Sequence, residues 1–405
     1  MKSNYKRIGD YIHKVEERNN DLKVSKLLGL SMTKEFREST SNIIGTDMSV
    51  YKVVRKGQFA CDFMSVIRVN KLPVVLKMDD EPILVSPAYP VFEVNDVNEL
   101  DPEYLMMWFR RSEFDRYAVF KCDSAIRGGY DWTELCNSEF PIPHIDKQKE
   151  IVKEYNILIN RIGLNNQLIK KLEETAQAIY KQWFVDFEFP DDEGKAYKSN
   201  GGEMLECEDY ERGIPINWAL KPFTKIVKLG GGGTPDTTNK NLWNGDIPFF
   251  TPADVTTGYY SIISEKHVTQ LGLKNSSTKL YPKNTVFITA RGTVGSISMA
   301  GCPMTMNQSC YSVIGLNQIN QYFVHQLTRA AIGKLKNEAT GAVFSALVTK
   351  DFDSQILIEP SLKIIMKYGS LVEGIYNLIL NITRQNQQIN IMVSLILSKL
   401  ASIKN

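Results

Sequence analysis

The sequence predicts a mixed α/β (α+β) fold in which two globular domains are joined by two long, antiparallel coiled-coil helices. Three observations predict it: the chain has 405 residues, two segments share a heptad pattern, and short motifs recur in the same order in both halves. A chain of this length holds two or more domains, each able to bury its own core. An internal duplication, giving a pseudo-two-fold repeat, accounts for all three observations.

The composition is that of an ordinary globular protein, with 43% hydrophobic and 10% aromatic residues. No window approaches eighteen consecutive apolar residues, which argues against a transmembrane helix. The start, "MKSNYKRIGDYIHK", lacks the apolar core of a signal peptide, so the cytoplasm is the expected location. The six cysteines show no C-x-x-C spacing, which favours reduced thiols over disulfides or a zinc site.

Charge and periodicity divide the chain into five segments. We predict a first globular domain (1–140), a long helix (141–184), an acidic linker (185–212), a second globular domain (213–356) and a second long helix (357–405). Their net charges are −2, +2, −7, +6 and +3 in that order. The acidic segment is rich in Asp, Glu, Gly and Ser, which is typical of a solvated linker. The basic excess of the second half weakly favours a polyanionic partner.

The first long helix is predicted by a sustained heptad pattern over about 33 residues, a length of about 50 Å. The "FVDFEFP" run and Pro190 then end it. Its seam residues are separated alternately by four and three positions: Ile151, Tyr155, Leu158, Ile162, Asn165, Ile169, Leu172, Ala176, Ile179 and Trp183.

The second long helix repeats this pattern 220 positions later. Its predicted seam is Leu371, Ile375, Leu378, Ile382, Gln385, Ile389, Met392 and Ile396. The single polar break falls at the same heptad position in both helices, at Asn165 and Gln385. Antiparallel packing would bring these two side chains into one buried layer that fixes the register. Two unrelated long helices that share a period are the alternative.

The globular segments repeat as well. "GYDWTELCNSEFPIPHI" (129–145) aligns with "VFSALVTKDFDSQILIEPSL" (343–362), and "YKVVRKGQFACDFM" (51–64) with "KLYPKNTVFITARG" (279–292). Strand-like runs ("YKVVRKG", "PILVS", "YPVFEV", "TVFITA", "CYSVI") alternate with short helical stretches. Both globular segments are therefore predicted to mix helices and strands.

No catalytic constellation emerges from the sequence. The four histidines lack a second metal-type ligand at productive spacing. "LGGGGTPDTTNK" (229–240) lacks the Lys-Ser/Thr of a phosphate-binding loop and is interpreted as a flexible loop whose backbone could approach another group closely. "PDDEGK" (190–195) superficially matches a nuclease motif but falls in the predicted linker.

Several of these segments together resemble the specificity subunits of type I restriction–modification systems. The matching runs are "AIYKQWFVDFEFPDDEGKAYKSNGGEMLE…GIPINW", "GGTPDTTNKNLWNGDIPFFTPADV", "RGTVGSISM" with "MNQSCYSV", and "FPIPHIDKQKEI". Taken together they extend over nearly the whole chain, and the length and internal repeat agree with that family.

The resemblance implies a non-catalytic DNA reader. Each globular segment would be a target-recognition domain for one half of a split, asymmetric site in double-stranded DNA. The paired helices would set the spacing and dock two methyltransferase subunits, which use S-adenosylmethionine to methylate adenine. A restriction subunit using ATP and Mg would join the full complex. No cofactor or metal is expected on this chain itself.

Candidate DNA-contacting residues are basic or polar side chains in predicted loops, because Arg suits guanine, Asn and Gln suit adenine, and Lys suits phosphate. Solvated loop residues are the alternative for each. The candidates are Arg55, Lys56, Arg68, Lys71, Lys77 and Arg127 in the first domain, and Thr234, Lys240, Asn241, Lys274, Arg291 and Thr293 in the second.

Three other classes of protein remain open from the sequence. A stand-alone duplicated DNA-binding regulator would bind DNA without a methyltransferase. A scaffold without a nucleic-acid role would lack a basic rim facing DNA. A cryptic enzyme would need site chemistry that the sequence does not display.

Overall fold

The computed structural model describes residues 5–39, 45–122, 130–207, 210–338 and 346–403. The chain divides into two compact units. Unit 1 comprises Met1–Ile162 with Gln388–Asn405, and unit 2 comprises Gly163–Gln387. The predicted mixed α/β class with two domains is therefore confirmed, although each unit also includes part of both long helices.

Unit 1 contains ten short strands and four short helices before the first long helix. The strands are β1 (Tyr5–Arg7), β2 (Ile12–Val15), β3 (Leu28–Leu30), β4 (Phe36–Glu38), β5 (Lys52–Val54), β6 (Phe59–Cys61), β7 (Val74–Leu76), β8 (Ile83–Val85), β9 (Val91–Val94) and β10 (Glu139–Pro141). The helices are α1 (Val66–Val69), α2 (Pro102–Phe109), α3 (Ser112–Lys121) and α4 (Trp132–Asn137). These counts cover the part of the unit that the structure describes.

The long helix α5 (Ile145–Phe184) leads into unit 2, and α10 (Leu362–Lys399) leads out of it. The strands of unit 2 are β11 (Met204–Cys207), β12 (Tyr210–Pro215), β13 (Ala219–Pro222), β14 (Val227–Gly231), β15 (Trp243–Phe250), β16 (Tyr260–Ser261), β17 (Lys266–Val268), β18 (Val286–Thr289), β19 (Ile297–Ala300), β20 (Thr305–Met306), β21 (Cys310–Gly315) and β22 (Ile356–Glu359). Its shorter helices are α6 (Phe223–Ile226), α7 (Gln270–Lys274), α8 (Gln321–Glu338) and α9 (Thr349–Asp353).

The strand pairing of unit 1 recurs in unit 2, as the predicted duplication requires. The antiparallel order β2-β9-β6-β7 matches β14-β21-β18-β19, to which β16 adds one parallel strand. The antiparallel pair β1-β10 likewise matches β13-β22. In each unit the strand that enters the domain thus pairs with the strand that leaves it for a long helix.

Each unit has its own apolar core. In unit 1, aromatic residues of the sheet and of α2, such as Phe59, Phe92 and Phe109, pack with Tyr155 of α5 and with Leu400. In unit 2, Phe184 of α5 and Tyr368 of α10 pack with Phe323 of α8. The long helices are therefore built into both cores rather than lying outside them.

The two long helices run antiparallel within unit 2, since Trp183 contacts Tyr368 while Asn165 contacts Gln385. Every predicted seam residue of α5 is at least half-buried. The predicted seam of α10 is correct in part: Ile382 and Ile389 are buried, whereas Leu371 and Leu378 are exposed and the neighbouring Val372 and Ile379 are buried instead. Apolar residues occur on most faces of α10, so the periodicity alone fits both registers.

The predicted solvated linker (185–212) is also wrong in part, because it includes packed residues. Phe187 and Phe189 are buried and both contact the ring of Trp218. Lys363 of α10 pairs with Asp192 at 2.5 Å. The aromatic side chains within this acidic segment provide apolar surface that outweighs its polar composition.

In the described part of the chain, no helix is sufficiently long and apolar to span a membrane.

Candidate nucleic-acid interface

Several predicted DNA-contacting residues of unit 2 lie at one edge of its sheet. The last paired residues of strands β18 and β21 are Thr289 and Cys310. Immediately beyond this pair, the Ala290 amide donates to the Ser309 carbonyl at 2.8 Å. The Thr293 hydroxyl donates to the carbonyl of Pro252 at 3.4 Å. We call residues 232–234, 251–254, 290–295 and 307–309 the loop edge of unit 2.

The glycine-rich segment reaches the same edge. The Thr234 hydroxyl donates to Oε1 of Gln308, and the Gly233 amide donates to the Met306 carbonyl at 3.1 Å. A Cβ on Gly232 would lie 2.0 Å from the carbonyl oxygen of Asn307. The glycines thus allow close packing of two loops, and the structure brings Thr234, Arg291 and Thr293 together.

A Gly232→Ala substitution should therefore destabilise the loop edge. Overpacking at such a contact costs about 1–3 kcal/mol, because the added methyl group must displace the backbone of Asn307. Urea denaturation should show a lower midpoint for Gly232→Ala. Gly231→Ala is the matched control, since no atom lies within 4 Å of a Cβ built there. Equal midpoints for the two variants would contradict the close-packing role.

The other candidates of unit 2 form a separate group. Lys240 and Asn241 lie in a 3₁₀ turn (Lys240–Leu242), and the Asn241 carbonyl accepts from the Thr269 hydroxyl at 2.9 Å. Thr269 caps α7, whose last residue is Lys274. All three candidate side chains are exposed.

In unit 1, the β6-β7 hairpin separates the candidates into two groups. At one end the Asp62 amide donates to the Pro73 carbonyl at 2.8 Å, and Arg68 and Lys71 lie exposed in the connection there. We call residues 62–73 and 86–90 the loop edge of unit 1. At the other end the Gly57 amide donates to the Lys77 carbonyl at 2.8 Å, next to Arg55 and Lys56.

The charges of this second group are balanced by neighbouring acids. Arg55 pairs with Glu17 at 2.7 Å, and Lys56 pairs with Asp80 at 2.9 Å. The hydrogen bonds that Arg55 donates to the Glu17 carboxylate raise the pKa of Arg55 above its usual value.

Lys77 is buried and its ammonium group contacts the Asp79 carboxylate, so the structure does not support its predicted contact with DNA. Nothing in its local sequence indicates this burial, because Lys77 follows an ordinary short strand. Arg127 lies outside the described residues.

Gln308 is the polar residue of the loop edge that the sequence prediction missed. It is exposed and lies within the "MNQSC" segment, immediately before β21. The sequence signal that could have identified it is its position immediately before a strand-like run. A residue in that position is expected in a loop at the edge of the sheet.

The predicted contact between Asn165 and Gln385 is present, and the polar layer between the long helices also includes Asn386 and Asn166. Nδ2 of Asn165 donates to Oε1 of Gln385 at 3.0 Å and to Oδ1 of Asn386 at 2.7 Å. Nδ2 of Asn386 donates in turn to Oδ1 of Asn166 at 2.8 Å. Asn165 and Asn386 are buried, whereas Gln385 is exposed. The buried partner of Asn165 is thus Asn386, one position after the predicted Gln385.

A buried hydrogen-bonded network joins α5, α8 and α10 in unit 2. Nε2 of Gln326 donates to the hydroxyls of Tyr259 at 3.1 Å and Tyr376 at 2.9 Å. The Tyr376 hydroxyl also bonds to Nδ1 of His325 at 2.9 Å, and the Tyr259 amide donates to the Glu173 carboxylate at 2.7 Å. Burial lowers the pKa of His325 to about 3 and raises the pKa of Glu173. The network fixes the Tyr259 segment, which follows the loop edge, to the long helices.

Comparison with known proteins agrees with this arrangement. Residues 215–390 match the family model described as the type I restriction modification DNA specificity domain. Over 415 aligned residues the chain is 24% identical to the HindI type I restriction enzyme specificity subunit of Haemophilus influenzae, with 89% of each chain covered. The chain is thus similar to type I restriction–modification specificity subunits over most of its length.

A second specificity subunit, that of the MjaIX enzyme of Methanocaldococcus jannaschii, is 30% identical over 178 residues. That match covers 43% of this chain and 41% of the relative. The solved S subunit from M. genitalium shares the fold, with a TM-score of 0.57, 12% identity and coverage of 99% of this chain and 96% of that one. The loop edge of unit 2 lies within the residues that match the DNA specificity domain.

Proposed function

We propose that this chain is a specificity subunit that reads a split, asymmetric site in double-stranded DNA, with one globular domain for each half. The observation that carries the proposal is that one strand arrangement occurs in both units while the side chains at corresponding loop positions differ. A shared scaffold with different base-contacting side chains would read two different half-sites.

The loop side chains of the two units differ most clearly beside a backbone hydrogen bond that occurs at the equivalent position in each unit. The Cys61 amide donates to the Pro90 carbonyl at 3.0 Å in unit 1, as the Ala290 amide does to the Ser309 carbonyl in unit 2. In unit 2 the adjoining residues are Arg291 and Gln308, but in unit 1 they are Asp62 and Tyr89.

Asp62 does not take the place of Arg291 as a base reader. Its carboxylate accepts from the Ser65 hydroxyl at 2.6 Å and from the Met64 amide at 3.0 Å, and its side chain is buried. Arg68 and Lys71, later in the same connection, are the exposed basic residues of this loop edge. We assign DNA contacts of unit 1 to these two.

Phosphate contacts would supply the sequence-independent part of the affinity. Lys240, in the 3₁₀ turn, and Lys274, at the end of α7, are both exposed. Residues 213–356 as a whole carry a net charge of +6. Lysine contacts to phosphate release counterions, so we expect binding to weaken steeply with salt.

The long helices would dock two adenine methyltransferase subunits. Apolar side chains are exposed on both helices, including Leu164 and Leu168 of α5 and Leu371 and Leu378 of α10, and such surface is typical of an interaction site. The duplicated architecture supports two equivalent docking sites. In this proposal the methyltransferase subunits bind S-adenosylmethionine and a restriction subunit binds ATP and Mg, so the chemistry resides in the partners.

The test is the adenine methylation map of DNA from cells that express this chain with its methyltransferase partner. The control is the same methyltransferase expressed alone. We expect a split motif with two short defined halves and a fixed gap only when the chain is present. Replacing residues 213–356 by the equivalent segment of a specificity subunit with a different motif should change one half and leave the other unchanged.

No new methylation by a demonstrably active methyltransferase would contradict the proposal. DNA binding by the chain alone in a gel-shift assay would then favour a stand-alone DNA-binding regulator. A change in both halves after the exchange would show that the two domains do not read independently.

A further inference from the structure

We propose that Arg291 and Gln308 form a side-by-side pair that reads two adjacent base pairs, a G·C pair by Arg291 and an A·T pair by Gln308. This inference rests on the proposed function, because it assumes that the loop edge of unit 2 enters a DNA groove. It goes further by assigning the two bases and placing them in adjacent base pairs.

A backbone hydrogen bond joins the two loops that carry these residues. Strands β18 and β21 pair from Val286–Val313 to Thr289–Cys310. Immediately beyond this ladder, the Ala290 amide donates to the Ser309 carbonyl at 2.8 Å. Arg291 and Gln308 adjoin these two residues, one in each loop.

The hydrogen bond between Ala290 and Ser309 holds the two loops together, so their adjoining side chains start from neighbouring backbone segments. Successive base pairs along DNA are separated by about 3.4 Å, and long side chains on two such loops can reach neighbouring base edges. Gly292, with φ +78°, turns the chain immediately after Arg291. Only the Cβ of Pro252, at 3.5 Å, lies within 4 Å of a Cβ built on Gly292, so the backbone beside Arg291 is uncrowded.

Both side chains are available to a ligand. Arg291 is exposed and has no hydrogen bond or ion pair to another described residue. This contrasts with Arg55, whose guanidinium is held by Glu17. Gln308 is exposed, and its Oε1 accepts from the Thr234 hydroxyl.

Thr234 acts as a positioning residue for Gln308. A carbonyl oxygen has two lone pairs, so Oε1 can accept from Thr234 and from one further donor, while Nε2 retains two N–H donors. A glutamine presented in this way can accept from N6 of adenine and donate to N7. A free guanidinium can donate two hydrogen bonds to O6 and N7 of guanine.

A phosphate contact by the same residues would have a different signature. Phosphate contacts weaken binding to all sequences about equally, whereas base contacts affect one position of the site. The two roles can therefore be separated by the pattern of base preference, independently of total affinity.

The experiment is selection of bound DNA from a randomised library by the purified complex of the chain with its methyltransferase partner. We expect the half-site assigned to residues 213–356 to contain a G and an A in adjacent base pairs. Arg291→Ala should lose the preference at the G, and Gln308→Ala should lose it at the A, each by about 5- to 150-fold.

The Gln308→Glu variant distinguishes the loss of a base contact from a general loss of folding. Because a carboxylate can only accept hydrogen bonds, this variant should move the preference at the second position from A toward C, whose N4 is a donor. Thr234→Val should weaken the preference at the A while leaving the G unchanged. Lys228→Ala, an exposed substitution on β14 away from the loop edge, is the control and should leave the motif unchanged.

Three outcomes would overturn the inference: an unchanged motif in both alanine variants, a uniform loss across all sequences, or effects at positions that are not adjacent. In each of these the wild-type complex would still select a split motif. Failure of the wild-type complex to select any motif would instead contradict the proposed function itself.

Discussion

Lowering the pH from 7 to 5 should destabilise the wild-type chain through His325 by about 2 kcal/mol. The pKa of this buried residue is lowered from 6.5 to about 3, so the unfolded state binds a proton in this range that the folded state does not. The stabilisation is fully present above pH 6.5 and is lost as the pH falls toward 3. Urea denaturation at pH 7, 6 and 5 measures it.

The physical cause lies in the network around the imidazole. Since Gln326 donates to the Tyr376 hydroxyl, that hydroxyl can donate its own proton to Nδ1 of His325. Protonation of Nδ1 would remove this acceptor and place a charge in a fully buried site near Arg329.

Glu173 also contributes to the pH dependence of stability, and its contribution has to be distinguished from that of His325. Burial raises the pKa of Glu173, so its protonation favours the folded state at low pH and opposes the effect of His325. His325→Asn retains an acceptor but does not titrate, and the difference between pH 7 and pH 5 should fall by about 2 kcal/mol relative to wild type. His144→Asn, at an exposed histidine, is the matched control. An undiminished pH dependence in His325→Asn would refute the assignment.

Much of the fold follows from local sequence patterns. The five strand-like runs each contain a strand, at β5, β8, β9, β18 and β21, because alternating β-branched and aromatic residues favour this conformation. Strand β14 was not predicted, since "VKLGG" has low strand propensity. Its Gly230 and Gly231 become strand residues by pairing with Ser312 and Tyr311 of β21.

The site was harder to predict than the fold, because a loop residue's role depends on which loops meet. Arg291 and Thr234 are 57 positions apart, and only the pairing of β14, β18 and β21 brings their loops to one edge. Lys77 shows the converse: a basic residue in a predicted loop whose charge is neutralised by Asp79, two residues away. Sequence composition does not distinguish these two cases.

The polar layer between the long helices gives the second large expected effect. Asn165→Leu should destabilise the chain by about 1–3 kcal/mol, because it leaves buried Oδ1 of Asn386 without its donor. The double variant Asn165→Leu/Asn386→Leu should recover this loss or exceed wild-type stability, because apolar side chains replace both buried amides. Urea denaturation of the single and double variants measures the coupling between the two positions.

Asn165→Leu/Gln385→Leu is the matched control. Gln385 is exposed and also accepts from Asn165, but its replacement leaves Asn386 buried and short of one donor, so the loss should persist. Equal recovery in both double variants would contradict the assignment of Asn386 as the buried partner of Asn165. Buried amides that reduce stability fix the register of paired helices, because a slipped register leaves them unpaired. A stabilised Asn165→Leu/Asn386→Leu variant should therefore also give a less uniquely selected gap between the two half-sites in the methylation map.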